Sequence, residues 1–511
     1  MVLNISWREA VDTVEMRALE INSSALGVTT LLLMENAGRS VAEEIGRRFR
    51  RGSRILVVAG RGGKAGDGFV AARHLKGLGY QVDIMLTSDP ESVKHEDARY
   101  NLEVLIRSGW KMLRYEGSIP QDYDVIIDAL LGTGVRGRVT GSIAEIIRGI
   151  NSSNSYRVSI DLPSGLDPDS GEDLGICVRA DLTITMHAPK KGLLKNKECV
   201  GELVVADIGI PPEAWEEIGP GDVEARVRKR ERMSKKGDSG RVLVIGGSYR
   251  YVGAPWITAM AAWAAGSDLV YLASPERVLE RAFSPEIIPV ELKSEEINSN
   301  SIEVLRELIG RVDSIAIGPG IGLSKNTREG VKEILEEISR KGVKVVIDAD
   351  ALKILSELDI RFNWKAILTP HLGEASILLN RSIGNDPGSR REAAKEISSK
   401  YEAVVVLKGF VDYVCESSRC RSRSIIGNPD MARGGTGDVL TGVIASLIPR
   451  TRTIFEAACA GVIINAMAGE LAYMRKGISS PQNLIEIIPE IMKDPLKTFV
   501  EIINRKTSKK E

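Results

Sequence analysis

Short runs of β-branched and aliphatic residues alternate along the chain with stretches whose apolar positions recur at helical spacing. In the first half the strand-like runs are Arg54–Ala59, Gln81–Leu86, Asp124–Asp128, Arg157–Asp161 and Leu182–Met186. Helical spacing covers Thr30–Phe49, Asp67–Leu78, Glu96–Ser108 and Ser142–Ile150. Such alternation predicts βαβ units and a largely parallel sheet. The pattern breaks at Pro211-Pro212 and Gly219-Pro220-Gly221, where proline and glycine stop regular structure. The charged run Glu224–Lys236 follows; its seven basic residues read as a solvated linker or, alternatively, as a phosphate-binding patch. The alternation then restarts. Strand-like runs are Arg241–Ile245, Leu269–Ala273, Ser314–Ile317, Val343–Asp348, Ala366–Leu368, Ala403–Leu407 and Asp412–Cys415. Helical spacing covers Trp256–Ala265, Ile302–Gly310, Thr327–Arg340, Gly437–Leu447 and Ile454–Met474. Two α/β domains are expected, residues 1–221 and 222–511, with a polar tail, Arg505–Glu511, that frays.

Composition narrows the class. Across 511 residues, 43% hydrophobic and 27% charged is the balance of a globular protein with room for two cores. Lys+Arg and Asp+Glu are equal at 69 each, so no whole-chain field draws the protein to nucleic acid or a membrane. The 50 glycines suit many tight strand-to-helix turns, and 5% aromatics do not make a stacking surface for single strands. No apolar run reaches the ~18 residues needed to cross a bilayer, and the first residues lack a leader pattern; a cytoplasmic protein is expected. The 5 cysteines are odd in number and form no CxxC, which predicts a reduced chain, although Cys415 and Cys420 are spaced to pair across a hairpin turn.

The densest chemistry lies in Arg433-Gly434-Gly435-Thr436-Gly437-Asp438. The paired glycines allow a tight bend and close approach to a ligand. Helical spacing begins near Gly437, so first-turn N–H groups and the helix dipole create a place for a phosphate or a developing anion. Asp438 in that turn either caps the helix or acts as a base. A carboxylate beside an anion hole is what phosphoryl transfer to a hydroxyl requires.

The segment resembles the ribokinase-like fold. Five further blocks follow the same order: Lys236–Ser248 leading into Gly253-Ala254-Pro255, then Gly318-Pro319-Gly320-Ile321-Gly322, Asp348-Ala349-Asp350-Ala351-Leu352, Thr369-Pro370-His371-Leu372-Gly373-Glu374, and Val406-Leu407-Lys408-Gly409. Together they resemble the ADP- or ATP-dependent NAD(P)H-hydrate dehydratases. The resemblance implies removal of water from hydrated NADH or NADPH (NADHX, NADPHX), with a nucleotide turning hydroxide into a phosphate leaving group. It implies catalysis by Asp438, nucleotide contacts at Gly437 and Lys408, Gly409, Phe410, Val411 and Asp412, and hydrate contacts at Ala254, Gly320, His371 and Asp438. Asp348 and Glu374 are expected to help hold Mg²⁺ through water. Asp412 stands where the family has Thr or Ser. Arg433 stands where it has a small or hydroxyl residue, and is expected to offset Asp412 or reach a phosphate.

The first half has its own signature. Strand Arg54–Ala59 runs into Gly60-Arg61-Gly62-Gly63-Lys64-Ala65-Gly66-Asp67 and a helix, a layout that cradles dinucleotides or phosphates. Asp128 and Asp161 end apolar strands and precede Gly132-Thr133-Gly134-Val135-Arg136-Gly137 and Pro163-Ser164-Gly165. With Leu33–Gly38, these blocks resemble the NAD(P)H-hydrate epimerases, of Rossmann-like fold. The order of the two halves resembles the bifunctional NAD(P)H-hydrate repair enzymes, and implies a homo-oligomer acting on small molecules, most often with ADP. The resemblance implies hydrate contacts at Gly63–Asp67, Gly132–Gly137 and Asp161, with Asp161 as the acid–base group. Lys190 either assists it or is a surface lysine. The family holds K⁺ with an Asn, an Asp and a Ser; Asp128 and Ser164 match, but Lys64 replaces the Asn. Either the Lys64 side chain takes the ion's place, or this half has lost K⁺ and activity. A second function remains open: a ribokinase-like small-molecule kinase carrying a non-catalytic ligand-binding module.

Overall fold

A computed structural model describes residues 10–507. The end of the polar tail, residues 508–511, lies outside them, and Arg505–Thr507 closes the last helix. The chain divides into two compact units between Pro211 and Pro212. The division falls before Gly221 because the intervening residues pack into the second unit. There the Ile218 N–H donates to the Ser422 carbonyl at 2.6 Å, and the Asp222 carboxylate is buried against the Arg421 and Arg226 guanidinium groups. The expected linker is therefore split: Arg226 and Val227 are buried, and the solvated part begins at Arg228.

The first unit holds a seven-stranded sheet, parallel throughout. Its strands are β1 (Arg54–Ala59), β2 (Gln81–Leu86), β3 (Leu113–Arg114), β4 (Val125–Ala129), β5 (Tyr156–Ile160), β6 (Leu182–Met186) and β7 (Glu202–Ala206), in the order β3-β2-β1-β4-β5-β6-β7. Every residue of β4 and β6 is buried, as helices on both faces require. The order reverses between β1 and β4, which opens a crevice at their carboxyl ends. Register sets Val58 beside Asp128 and Asp128 beside Ser159, so loops from β1, β4 and β5 meet there. The helix after β1 runs from Gly63 to Gly77, four residues earlier at its start than apolar spacing gives, and Lys64 lies in its first turn. Helix Thr13–Ala25, capped by Asp12, has a polar sequence that hid it from the pattern.

The second unit holds nine strands: β8 (Arg241–Ile245), β9 (Leu269–Ser274), β10 (Ile287–Glu291), β11 (Ser314–Ile317), β12 (Val345–Ile347), β13 (Ala366–Leu368), β14 (Val404–Leu407), β15 (Asp412–Glu416) and β16 (Arg419–Arg423). The order is β10-β9-β8-β11-β12-β13-β14-β15-β16; β15 and β16 form an antiparallel hairpin on an otherwise parallel sheet. Helix Ile454–Lys476 has the length and apolarity of a membrane span, with mean hydropathy 1.5, but that stretch is wholly buried inside the unit. Thr453 and Glu456 close a capping box at its start, and Gly477 ends it in the left-handed region.

The reduced chain expected from cysteine count is not what forms. Cys415 and Cys420 face each other in the β15–β16 register and are disulfide-bonded. Cys177 and Cys199 are joined within a small apolar cluster with Leu162, Leu166, Leu193 and Val200. The Cys415–Cys420 pairing is the one their spacing across a hairpin turn offered; the Cys177–Cys199 pairing follows from no linear spacing and is made by the fold.

Candidate active sites

In the first unit a cleft of ≈ 560 Å³ opens at the carboxyl ends of β1, β4 and β5. Gly63, Lys64, Asp67, Gly132, Thr133, Gly134, Val135 and Asp161 line it. Ala65 and Gly66 do not. Ala65 is fully buried, and a methyl on Gly66 would lie 2.4 Å from Met34 Sδ, so both serve helix packing. Arg136 turns its guanidinium back to the Thr133 and Val135 carbonyls, and Gly137 lets its loop turn at φ 77°.

Asp161 sits just past β5 with φ 62°, a left-handed conformation that a non-glycine residue holds only under constraint from its surroundings. The constraint is visible. Its carboxylate accepts from the Lys190 ammonium, from Thr185 Oγ1 at 3.3 Å and from the Met186 N–H at 3.2 Å. Lys190 is no surface lysine, being 1% exposed. Burial alone would raise the Asp161 carboxyl; the Lys190 ammonium and the Met186 N–H outweigh it and hold the group below its usual range. Two neighbours go the other way. Burial, reinforced by the Asp161 charge, pushes Asp67 well above the carboxylate range. Burial also lifts Glu20 to about 7. One carboxyl with lowered proton affinity thus lies beside two with raised proton affinity, a division set by their environments. Glu20 carries no sequence signal, because its helix lay outside the apolar pattern.

Lys64, one of the residues that line the cleft, forms a buried pair with Asp128, their side chains 3% and 1% exposed. The Lys64 ammonium donates to Asp128 Oδ2 at 2.9 Å, the Leu162 carbonyl at 2.7 Å and Ser164 Oγ at 3.0 Å. Asp128 also accepts from the N–H groups of Leu130 and Ser164 and from the Ser159 and Ser164 hydroxyls.

In the second unit, Gly435 at φ 93° precedes helix Thr436–Leu447, and Asp438 lies in its first turn. Burial, helped by the nearby Asp348 charge, raises the Asp438 carboxyl to about 7; Lys408 pulls against them. Lys408 donates to Asp348 Oδ1 at 2.7 Å, and Thr441 Oγ1 donates to Asp348 Oδ2 at 2.8 Å. A methyl on Gly437 would lie 3.4 Å from Lys408 Nζ, so glycine leaves the ammonium access to the helix start. His371 N-caps helix Leu372–Leu379: its Nδ1 accepts from the Gly373 N–H, while its own N–H donates to Glu374 at 2.9 Å. A bridge between His371 and Lys408 draws the two loops together. Gly320, at φ 67°, approaches Tyr251 and Ala254 closely; a methyl there would lie 2.7 Å from Tyr251 Cβ.

The Lys408–Asp412 loop departs from expectation. Asp412 is neutralised by Arg423, its register partner across the hairpin, and accepts from the Gly409 N–H at 2.8 Å. Arg433 instead pairs with Asp430. Two buried arginines without a motif hold the loop by its carbonyls: Arg390 donates to Lys408 and Val411, and Arg423 to Gly409. Phe410 projects outward, 82% exposed.

Comparison with known proteins decides the family. Residues 242–490 match the family described as NAD(P)H-hydrate dehydratase, and residues 30–192 the family described as YjeF-related protein N-terminus. A bifunctional NAD(P)H-hydrate repair enzyme of Hyperthermus butylicus is 43% identical over 501 residues, covering 96% of this chain and 93% of its own. The chain belongs to the bifunctional NAD(P)H-hydrate repair enzymes. Relatives of the same description from Methanothermobacter thermautotrophicus and Pyrobaculum aerophilum are 41% and 40% identical, covering 94% and 95% of this chain and 95% and 98% of their own. A Bacillus subtilis ADP/ATP-dependent NAD(P)H-hydrate dehydratase, co-crystallised with ATP/Mg²⁺, aligns with TM-score 0.46 at 23% identity, over 54% of this chain and 98% of its own.

Two ions implied by the family find different reception. No group of three or more His, Cys, Asp or Glu side chains among the described residues is arranged to hold a metal. Asp348 is taken by Lys408 and Thr441, and Glu374 by its helix start. Among the described residues there is thus no such cluster for Mg²⁺, an ion that commonly arrives on nucleotide phosphates with its own waters. The K⁺ donor set is present, but the Lys64 ammonium fills it, and K⁺ does not fit.

Proposed function

We propose that the second unit dehydrates NADHX and NADPHX at the expense of ADP or ATP, and that the first unit epimerises the R and S hydrates. The observation that carries the first half is Asp438: a buried carboxyl near neutrality, in the first turn of a helix that follows a glycine bend. Asp438 takes the proton of the ring hydroxyl as the hydroxyl oxygen attacks the terminal phosphorus of the nucleotide, and the bond from that phosphorus to the bridging oxygen breaks, releasing the nucleotide one phosphate shorter. First-turn N–H groups and Lys408 receive the charge on the transferred phosphoryl group. The carbon that bears the phosphate then loses it, and the neighbouring carbon loses a proton to the departing phosphate, which restores the ring double bond. The nucleotide lies along Lys408–Asp412 with Gly437, and the hydrate along Ala254, Gly320 and His371. A Mg²⁺ ion carried in on the nucleotide would offset part of the phosphate charge.

In the first unit, Asp161 works as the base and the proton-bearing Asp67 and Glu20 as acid partners, with Lys190 keeping Asp161 ionised. The hydrate lies along Gly63, Lys64, Asp67 and Gly132–Val135.

The test is acid-hydrated NADH incubated with the protein, Mg²⁺ and either nucleotide. Recovery of NADH absorbance is expected, at rates that Asp438→Asn lowers by about 10²–10⁴-fold. No recovery with either nucleotide overturns the dehydratase reading. Asp161→Asn is expected to abolish interconversion of the separated hydrate epimers, followed by chromatography, while S-hydrate dehydration continues; persistent interconversion removes Asp161 from its role.

A further inference from the structure

A lysine in the first turn of a helix faces the positive end of the helix dipole, where a cation is disfavoured. Lys64 sits there all the same and is withdrawn from water. What it meets explains the placement. Its three protons have three oxygen acceptors, on Asp128, Leu162 and Ser164, all within 3.0 Å. Ser164 Oγ uses its own proton on Asp128 Oδ1 at 2.5 Å and accepts from Lys64 and the Leu131 N–H, so its hydroxyl is saturated. The three acceptors are one carboxylate and two neutral oxygens, a donor set suited to a hard cation. They come from the end of β4 and the turn after β5, and Leu130 and Leu131, which hydrogen-bond to Asp128 and Ser164, line the cleft. The cation therefore ties together two loops that shape the cleft.

We propose that the Lys64 ε-ammonium is the permanent, covalently attached occupant of the cage that related epimerases fill with K⁺, and that this unit works without a free monovalent cation. An ammonium carries the charge of K⁺ and is close to it in size. It brings directed N–H bonds where the ion brings none, and it cannot dissociate. Without a cation the Asp128 carboxylate would stand uncompensated in the core, a strongly destabilising arrangement. The working part of the proposal rests on the epimerase reading; the occupancy part does not.

The test compares wild type with Lys64→Asn at equal ionic strength in KCl and in choline chloride. Three readouts are taken: Tl⁺ binding by thallium NMR, the thermal unfolding midpoint, and interconversion of the hydrate epimers. Wild type is expected to bind no Tl⁺, to unfold at the same temperature in both salts and to epimerise equally in both. Lys64→Asn is expected to bind Tl⁺, and its unfolding midpoint to rise in KCl, as binding to the folded state alone requires. Its turnover is expected to differ at least tenfold between the salts. Tl⁺ bound by wild type, or wild-type turnover stimulated by K⁺, overturns the proposal. So does a folded Lys64→Asn protein that binds no Tl⁺. Wild type that binds no Tl⁺ and epimerises in neither salt supports the occupancy while overturning the epimerase reading. If Lys64→Asn does not fold, the wild-type Tl⁺ and KCl comparisons decide alone.

Discussion

At the scale of single residues, Asp438 shows what a motif carries and what it leaves out. Gly434–Asp438 marks a bend, a helix start and a carboxylate, all legible in order along the chain. The proton affinity of that carboxylate is not, because it is set by burial and by Asp348, which comes from a different strand end. Asp438 must be ionised to accept a proton, and its carboxyl is raised to about 7. The dehydratase kcat/KM should therefore fall as pH drops through neutrality and level off above it. Replacing Asp348 by Asn removes the charge that raises Asp438 and leaves Lys408 to favour its ionised form. The acid limb should move to lower pH, so that the variant keeps a larger share of its plateau rate at pH 6. A pH–rate profile of both proteins checks this, and an unmoved or alkaline-shifted limb contradicts it. Asp412 teaches the converse. Its partner is Arg423 rather than Arg433, a pairing that exists only once the hairpin register is known.

At the scale of elements, most apolar periods were legible, although the apolar β7 and β10 were passed over, and polar or very short ones were not. Strands β1, β2, β6, β8, β11 and β13 fall on the runs read from the sequence, because a parallel strand covered on both faces must be apolar. The two-residue β3, with both residues exposed, and the arginine-rich β16 leave no such trace. The start of helix Gly63–Gly77 was missed because Gly, Lys and Ala carry no apolar period, and with it the placement of Lys64 in a helical turn. The hairpin and the Cys177 cluster make a prediction of their own. Denatured, unreduced protein should show one reactive thiol, from Cys459. Replacing Cys415 and Cys420 by Ser should cost about 2 kcal/mol in denaturant unfolding, and replacing Cys177 and Cys199 about 3 kcal/mol, since the second pair closes the longer loop. Five thiols before reduction would contradict the pairing.

At the scale of the whole molecule, two cores in one chain were legible from the restart of the alternation, but the place of division was not. Proline and glycine mark where the backbone bends; they do not say which core the next residues join. Buried contacts decide that, and Asp222 against Arg421 and Arg226 assigns the segment to the second unit. A fragment beginning at Pro212 should accordingly unfold at higher denaturant than one beginning at Ala225, which leaves Arg421 and Arg226 without their carboxylate; equal midpoints would show that the segment contributes nothing. Helix Ile454–Lys476 has a consequence during synthesis. Helices Pro481–Lys493 and Pro495–Thr507 pack against it and are made after it. For the time it takes the ribosome to add those residues, a greasy cylinder of 23 residues stands partly uncovered. In that interval the nascent chain resembles a membrane protein more than a finished enzyme, and truncation before Pro481 should yield aggregates or chaperone-bound chains rather than a smaller soluble unit.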